Sequence, residues 1–122
     1  MSSLTDEDLV LISGYLTNHS TGDKSYFWAY EEIAGMEDPE RLWRLMLEMI
    51  RITTDAGTLA YIAAGPLEEL LKHYGNQFIE RVENLARTDP HFREALTSVY
   101  DSGFTPEVSA RVRKASNKKL NT

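Results

Sequence analysis

DPERLWRLMLEMIRI, residues 38–52, decides the fold of this chain. Asp38 is placed to cap a helix, and Pro39 sits at the first helical position, where its missing N–H costs nothing. Leu42, Leu45, Met46 and Met49 form one apolar stripe, and Trp43, Leu47 and Ile50 form an adjacent one. Only a narrow strip through Arg41, Arg44, Glu48, Arg51 and Asp55 stays polar. A helix apolar around so much of its girth belongs at the centre of a fold. Glu40 and Arg44 are oriented as an i,i+4 pair on its wet edge.

Working towards the N-terminus, the segment Tyr26 to Ala34 reads as an aromatic helix ended by Gly35. Tyr26, Tyr30 and Ile33 share one face, Phe27, Tyr30 and Ala34 a neighbouring one, and Glu31 and Glu32 take the remaining surface. Asn18 to Asp23 reads as a loop. Before it, Thr5 is placed to cap a helix with Asp6, Glu7 and Asp8 in its first turn, where the helix dipole favours anions. Leu9, Ile12 and Leu16 give that helix its apolar face, widened by Val10 and Leu11.

Towards the C-terminus, Leu59 to Ala64 reads as a short small-residue helix broken by Gly65-Pro66. Leu67, Leu70, Leu71 and Tyr74 stripe the next helix, which Gly75 is expected to end in left-handed conformation. Asn76 then caps a helix with Phe78, Ile79, Val82, Leu85 and Ala86 inward and a Glu83–Arg87 pair outward. Asp89-Pro90 repeats the opening of Asp38-Pro39, and Phe92, Ala95, Leu96, Val99 and Tyr100 follow at helical spacing up to Gly103. Thr105-Pro106 starts a last helix with the thin stripe Val108, Val112 and Ala115, expected to fray beyond Ser116. The fold class is therefore all-α: a single domain of seven to eight short helices, as an irregular bundle or a HEAT-like stack of helix hairpins. Residues 1–104 form the helical domain, and 105–122 a basic C-terminal helix or tail packed on it or fraying from it.

A length of 122 residues suits one domain, and 42% apolar with 26% charged residues is an ordinary globular balance. With no cysteine there is no disulfide, thiol nucleophile or Cys-based zinc site. No apolar run reaches membrane-spanning length, and the acidic start MSSLTDEDLV is unlike a secretory signal, so a cytoplasmic location is expected. The net charge is −6, unevenly spread. From residue 105 onward Arg111, Arg113, Lys114, Lys118 and Lys119 face Glu107 alone, giving +4 there and −10 in the body. The acidic body repels phosphate backbones, which leaves nucleic acid only a weak hold through those five basic residues. The same body would attract a basic protein.

The runs LAYIAAGPLEELLKHYG (59–75), FIERVE (78–83) and DPHFREAL (89–96), preceded by WRLMLEMI (43–50), resemble a family of small, mostly bacterial domains of unknown function. The likeness covers Tyr26 to Tyr100, and Ala63 to Glu68 is its most distinctive piece. The resemblance implies an all-helical fold and brings no catalytic or binding residues.

The residues offer little for chemistry. Glu69 and His73 face each other at i,i+4, half of a zinc site and more simply a surface contact, and no HExxH pattern occurs. His91, in a first turn, reads as an ordinary surface residue. There is no G-x-S-x-G elbow and no P-loop, and Ser20, Ser25 and Ser102 fall in loops or caps. Glu31/Glu32 and Glu68/Glu69 are adjacent helical pairs pointing about 100° apart, so neither converges as an acid–base couple. Glu68 reads first as a cap of its helix. No catalytic residue, metal or cofactor is expected.

What remains is a local concentration of acids and rings. Glu31, Glu32, Glu37, Asp38 and Glu40 form a negative patch before Arg41. Tyr26, Phe27, Trp28, Tyr30 and Trp43 are read mainly as core, with Tyr26 or Trp28 left exposed beside the acids. Carboxylates beside aromatic anchors suit a partner surface. The expected function is a non-enzymatic protein-binding module, most specifically an immunity or antitoxin protein covering a basic toxin such as a nuclease. The alternatives are a regulatory or scaffold domain that holds another protein's helix, and a small hydrolase or metal enzyme with a site assembled across helices. A homodimer through the aromatic surface is a further possibility.

Overall fold

A computed structural model describes residues 4–116. Lys118 and Lys119, and the fraying expected beyond Ser116, lie outside the described residues. The chain forms α1 (Asp6–Thr21), a 3-10 turn (Lys24–Tyr26), α2 (Phe27–Ala34), α3 (Pro39–Ile52), α4 (Ala56–Ile62), a π turn (Ala63–Leu67), α5 (Glu68–Thr88), α6 (Pro90–Leu96) and α7 (Pro106–Ala115). No strand occurs among the described residues, and no helix there is long and apolar enough to cross a membrane. Because α4, the π turn and α5 follow one another directly, with one kink inside α5, six helical runs stand where the sequence predicts seven or eight helices.

The helix starts follow from local chemistry. Thr5 and Asp8 form a reciprocal capping box, with N–H to side-chain oxygen distances of 3.0 and 3.1 Å. Asp38, Asp89 and Thr105 each accept a backbone N–H from the first turn of the helix that follows. Asp55, read from sequence only as part of a polar strip, caps α4 through the N–H of Thr58 at 2.8 Å.

Helix α3 lies at the centre, against α1, α4, the π turn, α5 and α6. Leu42, Trp43, Leu45, Met46, Met49 and Ile50 are buried along it. The Trp43 ring packs on Phe78 and Phe92, with ring centroids 5.4 and 6.3 Å apart. Each such apolar side chain contributes about 1.5–3 kcal/mol by leaving water, so this helix organises the core. Val108 and Val112 bury the thin stripe of α7 against α5.

Four boundaries differ from expectation. Helix α1 runs on through the predicted loop, Ser20 included, to Thr21; the Thr21 hydroxyl donates to the Thr17 carbonyl, and Gly22 closes the helix in left-handed conformation (φ 71°). Gly65-Pro66 does not break the chain. Proline lacks the N–H and clashes with the i−4 carbonyl of an α-helix, and the wider π turn accommodates both. The break expected at Gly75 falls one residue earlier: Tyr74 leaves helical geometry (φ −133°, ψ 28°), so α5 is two helical stretches joined at a kink, and Gly75 is not left-handed. A Cβ at position 75 would stand 2.9 Å from Val108, so this glycine admits α7. Helix α6 stops at Leu96, where the Thr97 hydroxyl turns back to the Glu94 carbonyl. Val99 is buried by the turn that follows, whereas Tyr100 is 76% exposed.

Several polar residues act across the fold rather than along one helix. Glu40 holds Arg81 through two bonds of 2.8 and 2.7 Å in place of Arg44. Glu83 holds Arg111 in place of Arg87, and Asp101 holds Arg113 at 2.7 Å. Glu68 accepts the Tyr100 N–H at 2.9 Å, tying down the α6–α7 connection instead of capping α5. The Nε2 of His91 lies 2.9 and 2.8 Å from the carbonyls of Ile50 and Thr53, so this residue joins α6 to the end of α3 and is not a simple surface side chain.

The distinctive Ala63–Glu68 segment is a packing device. Ala63, Pro66 and Leu67 are buried, and a Cβ at Gly65 would lie 2.8 Å from the hydroxyl of buried Tyr15. Gly65→Ala is expected to lower stability by about 1–3 kcal/mol through overpacking, despite alanine's better helix propensity. Tyr15→Phe in the same chain should recover part of that loss. Urea midpoints of the four proteins check it, and a Gly65→Ala variant as stable as the parent contradicts it.

Arg113 and the Ser109 hydroxyl hold the Asp101 carboxyl down to about 2, from an ordinary 3.8. A carboxylate depressed by native contacts stabilises the fold above its unfolded pKa, and that contribution is lost as pH falls through the folded one. Stability should therefore drop between about pH 4 and pH 2. Asp101→Asn should be less stable than the parent at neutral pH and show a flatter acid slope. Unfolding midpoints measured against pH decide it; parallel profiles would remove Asp101 as a contributor.

Candidate interaction face on the first two helices

Helix α2 lies against α1 where Gly14 meets Ala29 and Trp28. A Cβ at position 14 would stand 2.9 Å from the Ala29 Cβ and 3.2 Å from Trp28 Cζ2. Ala29 and Ile33 are the buried residues of α2. Helices this close leave no room between them for large rings. Tyr26, Phe27, Trp28 and Tyr30 are accordingly exposed, by 37–46%, and the reading of these residues as core is corrected; of the five clustered aromatics only Trp43 is buried. Leu9 and Val10 of α1, read as inward, are exposed as well, because the buried face of α1 runs through Asp8, Leu11, Ile12 and Tyr15. Of the eight exposed large apolar side chains among the described residues, six belong to this α1–α2 region.

The rings are supported from beneath. Phe27 and Tyr30 stack with centroids 5.3 Å apart, and Tyr30 lies parallel to Tyr15 at 6.3 Å. Tyr15 meets Tyr61 at 5.5 Å, and His19 stacks on Tyr61 at 4.0 Å. Burial, with Tyr61 beside it, pushes the Tyr15 hydroxyl far above its usual range, so it stays protonated. The π turn, with Ala64, Gly65 and Pro66, flanks the same side of Tyr15 and Tyr30.

Carboxylates stand beside Trp28. Asp6 and Glu7 on α1 and Glu31 and Glu32 on α2 are exposed. A hollow of about 470 Å³ opens between the helices, lined by Asp6, Glu7, Val10, Trp28 and Glu32 with Arg41 at its edge. Arg41 is committed to Asp8 at 2.9 Å and lies 4.0 Å from Glu32. Burial alone would raise the Asp8 carboxyl, but the Thr5 N–H and the Arg41 guanidinium outweigh it and hold it below the ordinary range.

Among the residues expected to form the site, Tyr26, Trp28, Glu31 and Glu32 share α2 and its 3-10 entry, and Glu37 is exposed in the turn that follows. Asp38 and Glu40 do not join them as free acids. Asp38 caps α3 through the Arg41 N–H, and Glu40 is held by Arg81. Leu9, Val10, Phe27, Asp6 and Glu7 belong to the face although sequence reasoning placed them elsewhere. The available signal was Gly14: a glycine inside a helix costs about 0.5–1 kcal/mol relative to alanine and marks a close approach. At the basic end, Arg111 and Arg113 are engaged with Glu83 and Asp101. His73 contacts Glu69 at 3.1 Å on the surface. No three of His, Asp and Glu converge as a metal would require among the described residues.

Fold and face together define a small all-helical domain with an exposed aromatic edge set among acids. The chain belongs to a family of unknown function, DUF6869, which matches residues 17–120. The resemblance of the 59–96 region pointed to such a family, all-helical and without assigned residues. No curated protein and no solved structure matches the chain.

The two tryptophans report on this geometry, since Trp28 is 44% exposed and Trp43 only 9%. With Trp43→Phe, the remaining emission from Trp28 should be red-shifted and strongly quenched, more by caesium than by iodide beside the acids. With Trp28→Phe, emission should be blue-shifted and resistant to both. Equal quenching of the two variants would contradict the placement of α2.

Proposed function

We propose that this chain is a protein-binding module that docks a basic protein on its α1–α2 face. Its most specific form is an immunity or antitoxin protein of a bacterial cytoplasm that covers a basic toxin, such as a nuclease, by occlusion and without chemistry of its own. The observation that carries this is the hollow where exposed Val10 and Trp28 stand with Asp6, Glu7 and Glu32, in a region that holds six exposed large apolar side chains. Aromatic anchors within a polar rim have the composition of an interface centre. The acidic body, in a chain of net charge −6, would steer a cationic partner and repel a like-charged one. A nuclease fits because its own site must be cationic to hold phosphate.

Affinity capture from native-source lysate, at low and moderate salt with mass-spectrometric identification, tests the reading. The expected result is one stoichiometric basic protein whose association slows as salt rises. Trp28→Ala or the pair Glu31→Lys and Glu32→Lys should release it, and Arg87→Gln, on α5, should not. Recovery of the bare protein at both salts overturns the reading, as does a retained protein indifferent to the α2 substitutions. Retention of a second copy of this chain would assign the face to a two-fold dimer instead.

A further inference from the structure

Among the described residues six of the eleven Lys and Arg side chains have a carboxylate partner. Arg41 pairs with Asp8, Arg51 with Glu48, Lys72 with Glu69, Arg81 with Glu40, Arg111 with Glu83 and Arg113 with Asp101. Among the described residues five cations have no ion pair: Lys24, Arg44, Arg87, Arg93 and Lys114. Three of these five line a single hollow of about 330 Å³, formed where the end of α5, the helix α6 and the end of α7 meet. Ala86 and Ala115 supply apolar wall, and Glu83 stands at the hollow with both oxygens on Arg111.

The three cations keep donors to spare. Arg87 Nη1 donates to the Asn84 side chain and Arg93 Nη1 to the Ala86 carbonyl. Each bond uses one of five guanidinium N–H groups. Gathering like charges around one concavity raises the energy of a fold unless a counter-charge enters. The one carboxylate at the hollow, Glu83, attracts Arg87 and Lys114 but has both oxygens on Arg111, so the lining keeps an excess of positive charge. Two planar guanidinium forks and a point-charge ammonium match the oxygens of a phosphoryl group in shape and charge.

We propose that the α5–α6–α7 hollow binds a small phosphate-bearing anion, held by Arg87, Arg93 and Lys114. The volume suits a phosphoryl group with a small remainder. The hollow and the α1–α2 face are built on different helices, so either can fail without the other.

The test is an NMR titration of the full chain with sodium pyrophosphate at fixed ionic strength, following backbone and arginine side-chain signals. Parallel arms use orthophosphate and glycerol phosphate, and sodium chloride is the control. The expected result is saturable binding with shifts centred on Arg87, Arg93 and Lys114. Tightest saturation by glycerol phosphate would indicate an esterified ligand, and by orthophosphate or pyrophosphate a free one. Arg87→Gln with Lys114→Gln should weaken binding at least tenfold, and Lys24→Gln should leave it unchanged. Without anion the double variant should melt close to the parent, since it removes like-charge repulsion together with the attraction of both cations to Glu83. Linear, chloride-like shifts spread over Lys24 and Arg44 as well overturn the proposal, as does a double variant that binds like the parent.

Discussion

Gly14 and Ala29 meet where α1 packs on α2, and no side chain larger than hydrogen fits at position 14 while Ala29 keeps its place. That constraint sets what α2 can do. A helix held so close to its neighbour buries only Ala29 and Ile33. The rings of Tyr26, Phe27, Trp28 and Tyr30 must stand to the sides, with Leu9 and Val10 exposed on α1. A close helix contact, ordinarily a device for stability, here also exposes an aromatic edge. The carboxylates in the first turn of α1 and along α2 then stand beside that edge because the two helices share one surface.

The support beneath the edge is continuous. Tyr30 rests on Tyr15, and Tyr15 is wedged between Tyr61 and the π turn at Gly65. The π turn in turn contacts α3, whose Leu42, Trp43, Leu45, Met46, Met49 and Ile50 are buried. Position 65 is thus sterically coupled to the outer face through one phenol ring. The C-terminal helices are held differently. Helix α7 has only a thin apolar stripe, and the Arg111–Glu83 and Arg113–Asp101 pairs add to it. Such partly exposed pairs are individually worth at most about 1 kcal/mol, so they fix position more than they add stability.

Much of the fold was legible because it is local. Thr5, Asp38, Asp89 and Thr105 announce helix starts by a few bonds within one turn, and the structure makes those bonds. The girth of α3 announced its central place in the same way. What escaped depends on residues distant in sequence. Gly65-Pro66 looks like a break until a wider turn and a phenol from α1 are both available. Val99 continues a helical spacing after the helix has stopped, because it is buried by a turn instead. Glu40 and Glu83 had suitable partners four residues away and took Arg81 and Arg111 from other helices. The acid and aromatic residues of α2 were readable as a candidate surface, whereas their separation from Asp38 and Glu40 required the cap and the ion pair to be seen.

The interaction face exists only if α2 presents its rings outward as surface. Replacing Val10 by Ser, Phe27 by Ser and Trp28 by Gln in one chain tests this directly through its urea unfolding free energy. Surface residues, even ones with some side contact, should cost together no more than about 2 kcal/mol, with a cooperative transition kept. A loss above about 4 kcal/mol, the scale of emptied core positions, would mean that these side chains are core and that the face does not exist.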